Sequence, residues 1–292
     1  MENFFDFIRT HPPVKRLQVN DLLLAEYQCP ITDDRIEIWS QHNYFIFVTS
    51  GEKKWFTLNQ EMKLKPGDCL FVRQGAQSVY QYFNEDFCAL VLFVPDAFIR
   101  SVLLDNQISA GIPNGISSGL SMFSIPCDER IKAYFQSFFT YLSNEGNTNT
   151  KLIELKFKEL VILAGTTGSK TLSSYFASLC RSEKASIRQI MEDNFNYPMS
   201  QNEFARLCGR SLSAFKRDFN EVFDMSPGRW LLQKRLELAR YMLANTGKSV
   251  MEIALDSGFN NHSHFSRVFK EKFGMSPVEM VKTTSDQKLA KK

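Results

Sequence analysis

Histidine is scarce in this chain: His11, His42, His262 and His264 are all there are in 292 residues. Protein sites for zinc and related catalytic metals draw on clusters of histidine, carboxylate and thiolate. The N-terminal two thirds offer only His11 and His42, so a metal-dependent enzyme there lacks its ligands. His262 and His264 are two residues apart, which on a helix turns them away from each other. Neither metal nor cofactor is therefore expected. Six cysteines (Cys29, Cys69, Cys88, Cys127, Cys180 and Cys208) form no C-x-x-C pair and no regular framework, which excludes a zinc ribbon or a disulfide scaffold. They read as reduced core residues, with a redox-sensing thiol as the alternative. No apolar run is long enough to cross a bilayer. The N-terminal M-E-N-F-F-D-F-I-R-T has neither a basic leader nor a cleavage site, so a soluble, cytoplasmic protein with no membrane partner is expected. A-G-T-T-G-S-K, residues 164–170, lacks the spacing of a phosphate loop and reads as a hinge.

A strong charge of one sign is missing too, since the net charge is only +3. Its distribution is more telling. From Glu183 onward there are 18 Lys+Arg against 13 Asp+Glu, leaving 17 against 19 before it. The basic excess lies in the last third, as a nucleic-acid footprint would.

That last third contains a repeat. F-A-R-L-C-G-R-S-L-S-A-F-K-R-D-F, from Phe204, leads to Met225-Ser226-Pro227; I-A-L-D-S-G-F-N-N-H-S-H-F-S-R-V-F, from Ile253, leads to Met275-Ser276-Pro277. Ala205 and Gly209 recur at an offset of 49 and Phe215, Arg217 and Phe219 at 50, so the second turn holds one extra residue. Each copy reads as a helix-turn-helix. Ala205 or Ala254 permits close packing, Gly209 or Gly258 ends the first helix, and Ser211 or Asn261 caps the second. Phe215, Phe219 and Val222 are expected on the buried face of one second helix, and Phe265, Phe269 and Lys272 or Phe273 on the other.

The run from Ser213 to Pro227, the residues that follow to Leu243, and S-V-M-E-I-A-L-D-S-G-F-N-N-H-S-H-F-S-R-V-F-K-E-K-F-G-M-S-P resemble the DNA-binding domain of the AraC/XylS family of bacterial transcription regulators. The resemblance covers Glu183 to Lys282. It implies recognition helices in successive major-groove segments, joined by a long helix from about Pro227 to Ala244. Trp230 and His264 replace usual aromatics, and Val278 to Val281 lacks the usual tyrosine-arginine ending.

Before the repeat, 22–94 is strand-like, with I-E-I-W, Y-F-I-F-V, W-F-T-L and C-L-F-V separated by turns at Ser50-Gly51 and Pro66-Gly67-Asp68. This spacing predicts a sandwich or small barrel. K-P-G-D-C-L-F-V-R-Q-G-A resembles the central hairpin of the cupin-like domain of many AraC-family regulators, and L-F-V-R-x-G resembles activators of type III secretion, which partner proteins control. Trp39, Tyr44, Phe45, Trp55, Tyr80 and Tyr82 could line a ligand pocket or fill a core. Helical spacing follows in 131–142 and 152–163, then a short helix at about 172–179. By the family resemblance Ile153, Leu155, Phe157, Leu160 and Val161 would make a homodimer contact; covering the sheet is the other reading.

The expected architecture is two-domain: a β-rich cupin-like jelly roll or barrel with flanking helices over 1–165, a linker 166–182, an all-α domain with two helix-turn-helix motifs over 183–285, and a disordered tail 286–292. The expected function is a non-enzymatic, sequence-specific, double-stranded promoter DNA-binding regulator, an activator working with RNA polymerase under a small-molecule or protein effector. A cupin-type enzyme fused to a DNA-binding domain is the alternative. Ser213, Lys216, Arg217, His262, Ser263, Ser266 and Arg267 are the candidates for base edges, and Arg210, Ser211, Asn220, Arg235, Asn261, His264 and Lys270 for phosphates.

Overall fold

The computed structural model describes residues 1–28, 35–81, 86–108, 120–143, 149–167, 169–181 and 186–289, with the backbone alone at 81, 181 and 284–289. Cys29, Tyr82 and the expected domain boundary at 182–183 lie outside the described residues. The chain divides into two units, Met1–Ala185 and Ser186–Lys292.

The first unit runs β1 (Glu2–Asn3), α1 (Phe4–Thr10), β2 (Lys15–Val19), β3 (Leu22–Gln28), β4 (Arg35–Ser40), β5 (Asn43–Ser50), β6 (Lys53–Phe56), β7 (Glu61–Leu64), β8 (Cys69–Val72), β9 (Gly75–Gln81), β10 (Cys88–Val94), α2 (Asp96–Asp105), β11 (Met122–Ile125), α3 (Glu129–Ser143), α4 (Thr150–Thr167) and α5 (Lys170–Arg181). Its strands form a five-stranded sheet, β1-β4-β9-β6-β7, and a six-stranded sheet, β11-β8-β5-β10-β3-β2. Alternation along β5 sends Phe45 and Phe47 to one face and Tyr44, Ile46 and Val48 to the other, and both faces are buried. One core joins the six-stranded sheet to the five-stranded sheet and α1. The other joins it to α2, α3, α4 and α5, with Phe47 stacked on Phe135 at 4.5 Å. Burial on both sides is why β3, β5 and β10 read as nearly unbroken apolar runs.

Several expectations change here. Of the expected sandwich or small barrel it is the sandwich that forms: the two sheets stay open and face each other, and helices cover the second face of the larger one. Residues 164–167, expected as a hinge, continue α4, with Ala164 fully buried. A Cβ on Gly165 would lie 3.3 Å from Leu103 and 3.8 Å from Phe176, so this glycine admits neighbouring side chains. The linker segment carries α5, whose Leu172 and Phe176 enter the helix-side core. Of the five expected dimer residues, Ile153, Phe157, Leu160 and Val161 are buried in that core, and Leu155 alone is exposed, at 57%.

The second unit is all helix: α6 (Ile187–Asn194), α7 (Gln201–Leu207), α8 (Leu212–Phe223), α9 (Pro227–Asn245), α10 (Val250–Asp256), α11 (His262–Phe273) and α12 (Pro277–Leu289). α9, about 28 Å long at 1.5 Å per residue, is the spine. Its first half buries Trp230 and Leu231; its second half buries Leu236, Ala239 and Leu243 against Ile253, Phe265 and Phe269. Residues 286–289, expected as disordered tail, are helical, and 290–292 lie outside the described residues.

Candidate nucleic-acid interface

Both helix-turn-helix motifs are built from the same local chemistry. Ser200 and Glu203 close a capping box on α7, and Ser249 and Glu252 close one on α10. These S-x-x-E signals satisfy backbone donors at each helix start and are legible in the sequence. The first helices end at Gly209 (φ +63°) and Gly258 (φ +85°). Four residues, 208–211, join α7 to α8 and five, 257–261, join α10 to α11. The extra residue therefore sits in the turn, where the sequence offsets put it.

The second helix of each motif has the same inner ladder. Phe215, Phe219 and Phe223 stack along α8, with centroid separations of 5.7 and 4.4 Å, and Phe223 packs on Trp230 at 4.9 Å. Phe265, Phe269 and Phe273 repeat this on α11 at 5.5 and 4.7 Å. Val222, expected on the inner face, is 38% exposed. The ridge runs i, i+4, i+8, so Phe223 takes that place, and Arg188 bonds the Val222 carbonyl at 3.0 Å while lying over the Phe223 ring. Ser211 caps α8 by accepting from the Ala214 N–H, and Asn261 caps α11 by accepting from the His264 N–H at 2.8 Å.

Opposite each ladder lies an outer stripe. On α8 it is Ser213, Arg217 and Asn220, flanked by Lys216; on α11 it is Ser263, Arg267 and Lys270, flanked by Ser266. All are exposed except Ser266, which is half-buried. The i, i+4, i+7 spacing gives both helices one polar face with a serine and an arginine at matching places. His262 is exposed at the start of α11, and the His264 ring lies 3.4 Å from the Arg267 guanidinium.

Two of the expected phosphate contacts have other work. Arg235 donates to the Phe195 and Tyr197 carbonyls, each at 2.7 Å, and burial lowers its pKa to about 10. It fastens α9 to the α6–α7 connection. Arg210 donates from Nη1 to the Cys208 carbonyl at 2.8 Å and from Nε to Asp218 at 3.0 Å. Asp218, not among the residues expected at the interface, also accepts from Arg217, at 3.1 and 2.9 Å. Hydrogen bonds from Arg210 and then Arg217 hold its carboxyl below the usual carboxylate range.

Among the described residues no three His, Cys, Asp or Glu side chains gather as metal ligands would, and no helix is long and apolar enough to cross a membrane.

Residues 43–175 match the model of the ExsA N-terminal regulatory domain, and residues 204–283 match that of a helix-turn-helix domain. Thermoregulatory protein LcrF of Yersinia pestis is 26% identical over 265 residues, covering 89% of this chain and 95% of LcrF. Virulence regulon transcriptional activator VirF of Yersinia enterocolitica is 26% identical over the same length and shares. HTH-type transcriptional regulator ExsA of Pseudomonas aeruginosa is 26% identical over 241 residues, covering 79% of this chain and 82% of ExsA.

Proposed function

We infer that this chain, a member of the AraC/XylS family of DNA-binding transcription regulators with an ExsA-type N-terminal domain, reads two successive major-groove segments of promoter DNA through α8 and α11. The observation that carries this is the repeated outer stripe: two capped helices, each with a phenylalanine ladder inside and a serine, an arginine and a second polar residue outside. Arginine matches guanine O6 and N7, and serine at the matching place lets the helix lie deep. Arg217 and Arg267 are the base readers, with Ser213, Lys216, His262, Ser263 and Ser266 beside them. Asn220, His264 and Lys270, with the helix starts at Ser211 and Asn261, take phosphates. Arg235 and Arg210 are structural supports.

The chain acts as an activator in the cytoplasm, engages RNA polymerase, and has no enzymatic step. Its homodimer contact falls on the outer face of α4, where Leu152 and Leu155 are exposed. The N-terminal unit carries the control. A cavity of about 10 Å³ lined by Phe4, Tyr27, Ile38, Lys53, Trp55 and Val79 has room for one water, not for a metabolite. The effector is a small molecule or a protein.

Footprinting on a selected site tests the reading. Each protomer should protect two groove segments about 34 Å apart on one face of the duplex. One protected segment per protomer would refute it.

A further inference from the structure

The two motifs differ at one corner of their packing. With the offsets of the repeat, Arg210 and Asp218 of the first copy occupy the places of Phe259 and Val268 in the second. Phe259 and Val268 are buried members of the apolar cluster around α11. Arg210 and Asp218 form an ion pair, with side chains 18% and 24% exposed. Buried apolar residues in one copy are thus a charged pair in the other, and the charge leads outward. The Cys208 carbonyl holds Arg210, Arg210 holds Asp218 Oδ2, and Asp218 Oδ1 accepts the Nε and Nη2 donors of Arg217. Arg217 itself is 70% exposed.

Asp218 uses the side edge of the Arg217 guanidinium. The end edge, with one N–H on each terminal nitrogen, remains for an acceptor pair such as guanine O6 and N7. An unheld arginine gives up substantial rotamer freedom on docking, and one already held in place gives up less. A carboxylate on a DNA-facing helix also repels phosphates, so its presence there calls for a compensating role. In the second copy Arg267 pairs with no carboxylate among the described residues; the polar group near it is the His264 ring.

We propose that Asp218 is a specificity-determining positioning residue that fixes Arg217 for end-on reading of a single guanine, making the first motif the more stringent of the two readers. The proposal rests on the reading of α8 as a recognition helix. Asp218 is ionised at neutral pH like any aspartate, as a buttress requires, and its hydrogen bonds from Arg210 and Arg217 hold the carboxyl lower still.

The test uses the full chain, a duplex selected from random DNA by the wild type, its single-base-pair variants, and an unselected random duplex. Thermal unfolding of each variant checks that it is folded. Arg217→Ala should cut guanine preference at one base pair by about 5- to 150-fold. Asp218→Val should cut preference at that same base pair several-fold and leave the others unchanged. Its affinity for the random duplex should rise, since a negative charge has gone. If Asp218→Val keeps wild-type preferences while Arg217→Ala loses them, the buttress is wrong and the helix still reads. If Arg217→Ala changes no preference, the recognition role of that residue is wrong. If Asp218→Val weakens every duplex alike, Asp218 is merely structural and the proposal falls. Asp218→Asn, which keeps an acceptor without its charge, should give an intermediate loss at the same base pair; a loss spread over all positions would count against the proposal.

Discussion

The first and second helix-turn-helix motifs share most of their local design and differ in how they are held. Phenylalanine ladders, capping boxes and left-handed glycines recur in both copies. The surroundings of the two glycines do not. A Cβ on Gly258 would lie 2.8 Å from the Asn196 carbonyl oxygen and 2.9 Å from Arg235 Nε, whereas one on Gly209 would meet nothing within 4 Å. One sequence feature, a glycine with positive φ, thus has a steric role in one copy and only a conformational role in the other. Repetition conserves the fold of a motif, and attachment to the rest of the chain makes the copies unlike.

The sharpest way to break that comparison is to substitute both glycines. Gly258→Ala combines strain with a clash against backbone and should cost roughly 3 kcal/mol or more, while Gly209→Ala should cost about 1 kcal/mol. Urea unfolding of the two variants measures this, and equal losses would erase the distinction. Next in size are the outer stripes. Arg267→Ala should cost about 1 to 3 kcal/mol on the correct site and relax one base pair. Lys270→Ala should weaken all sequences alike and reduce the slope of log affinity against log salt by about 0.9. Titrations at several salt concentrations separate the two behaviours. The smallest effect concerns the ends of α8 and α11. Both stop on a left-handed residue, Asp224 at φ +53° and Gly274 at φ +77°. Asp224→Gly should stabilise by a few tenths to about 1 kcal/mol by relieving the first copy of a strain the second lacks. Thermal unfolding should show a small rise, and a fall would mean that the aspartate side chain contributes more than its backbone costs.

The repeat explains why so much of the second unit could be read from residues alone. Glycine, cap and ladder each have a local cause, and two copies let one check the other. Where the residues alone leave the role open, the deciding contact is distant in sequence. Arg235 looks like a groove arginine until its partners, the Phe195 and Tyr197 carbonyls, are brought up from 40 and 38 residues away. Asp218 on α8 meets Arg210 in the turn before that helix, so no periodicity along one helix relates the two. Ile153, Phe157, Leu160 and Val161 form an apolar stripe, and a stripe reads the same whether a sheet or a second protomer covers it. The open sheets were hidden likewise: apolar runs on β3, β5 and β10 say that both faces are covered, not by what.

The clamp around Gly258 sets how the protein can meet its target. Arg235 ties the spine to the first motif's connection, and the second motif's turn is pressed against the same arginine and Asn196. On the proposed reading, the separation and angle of α8 and α11 therefore belong to the protein, and mismatch must be absorbed by the duplex through bending or twisting. Inserting one base pair between the two contacted segments would turn the second away by about 35°, a tenth of a helical repeat. If α8 and α11 read adjacent segments as proposed, promoters should be selected for helical phase as well as for base identity, and an insertion between the segments should be as damaging as the loss of a contacted guanine.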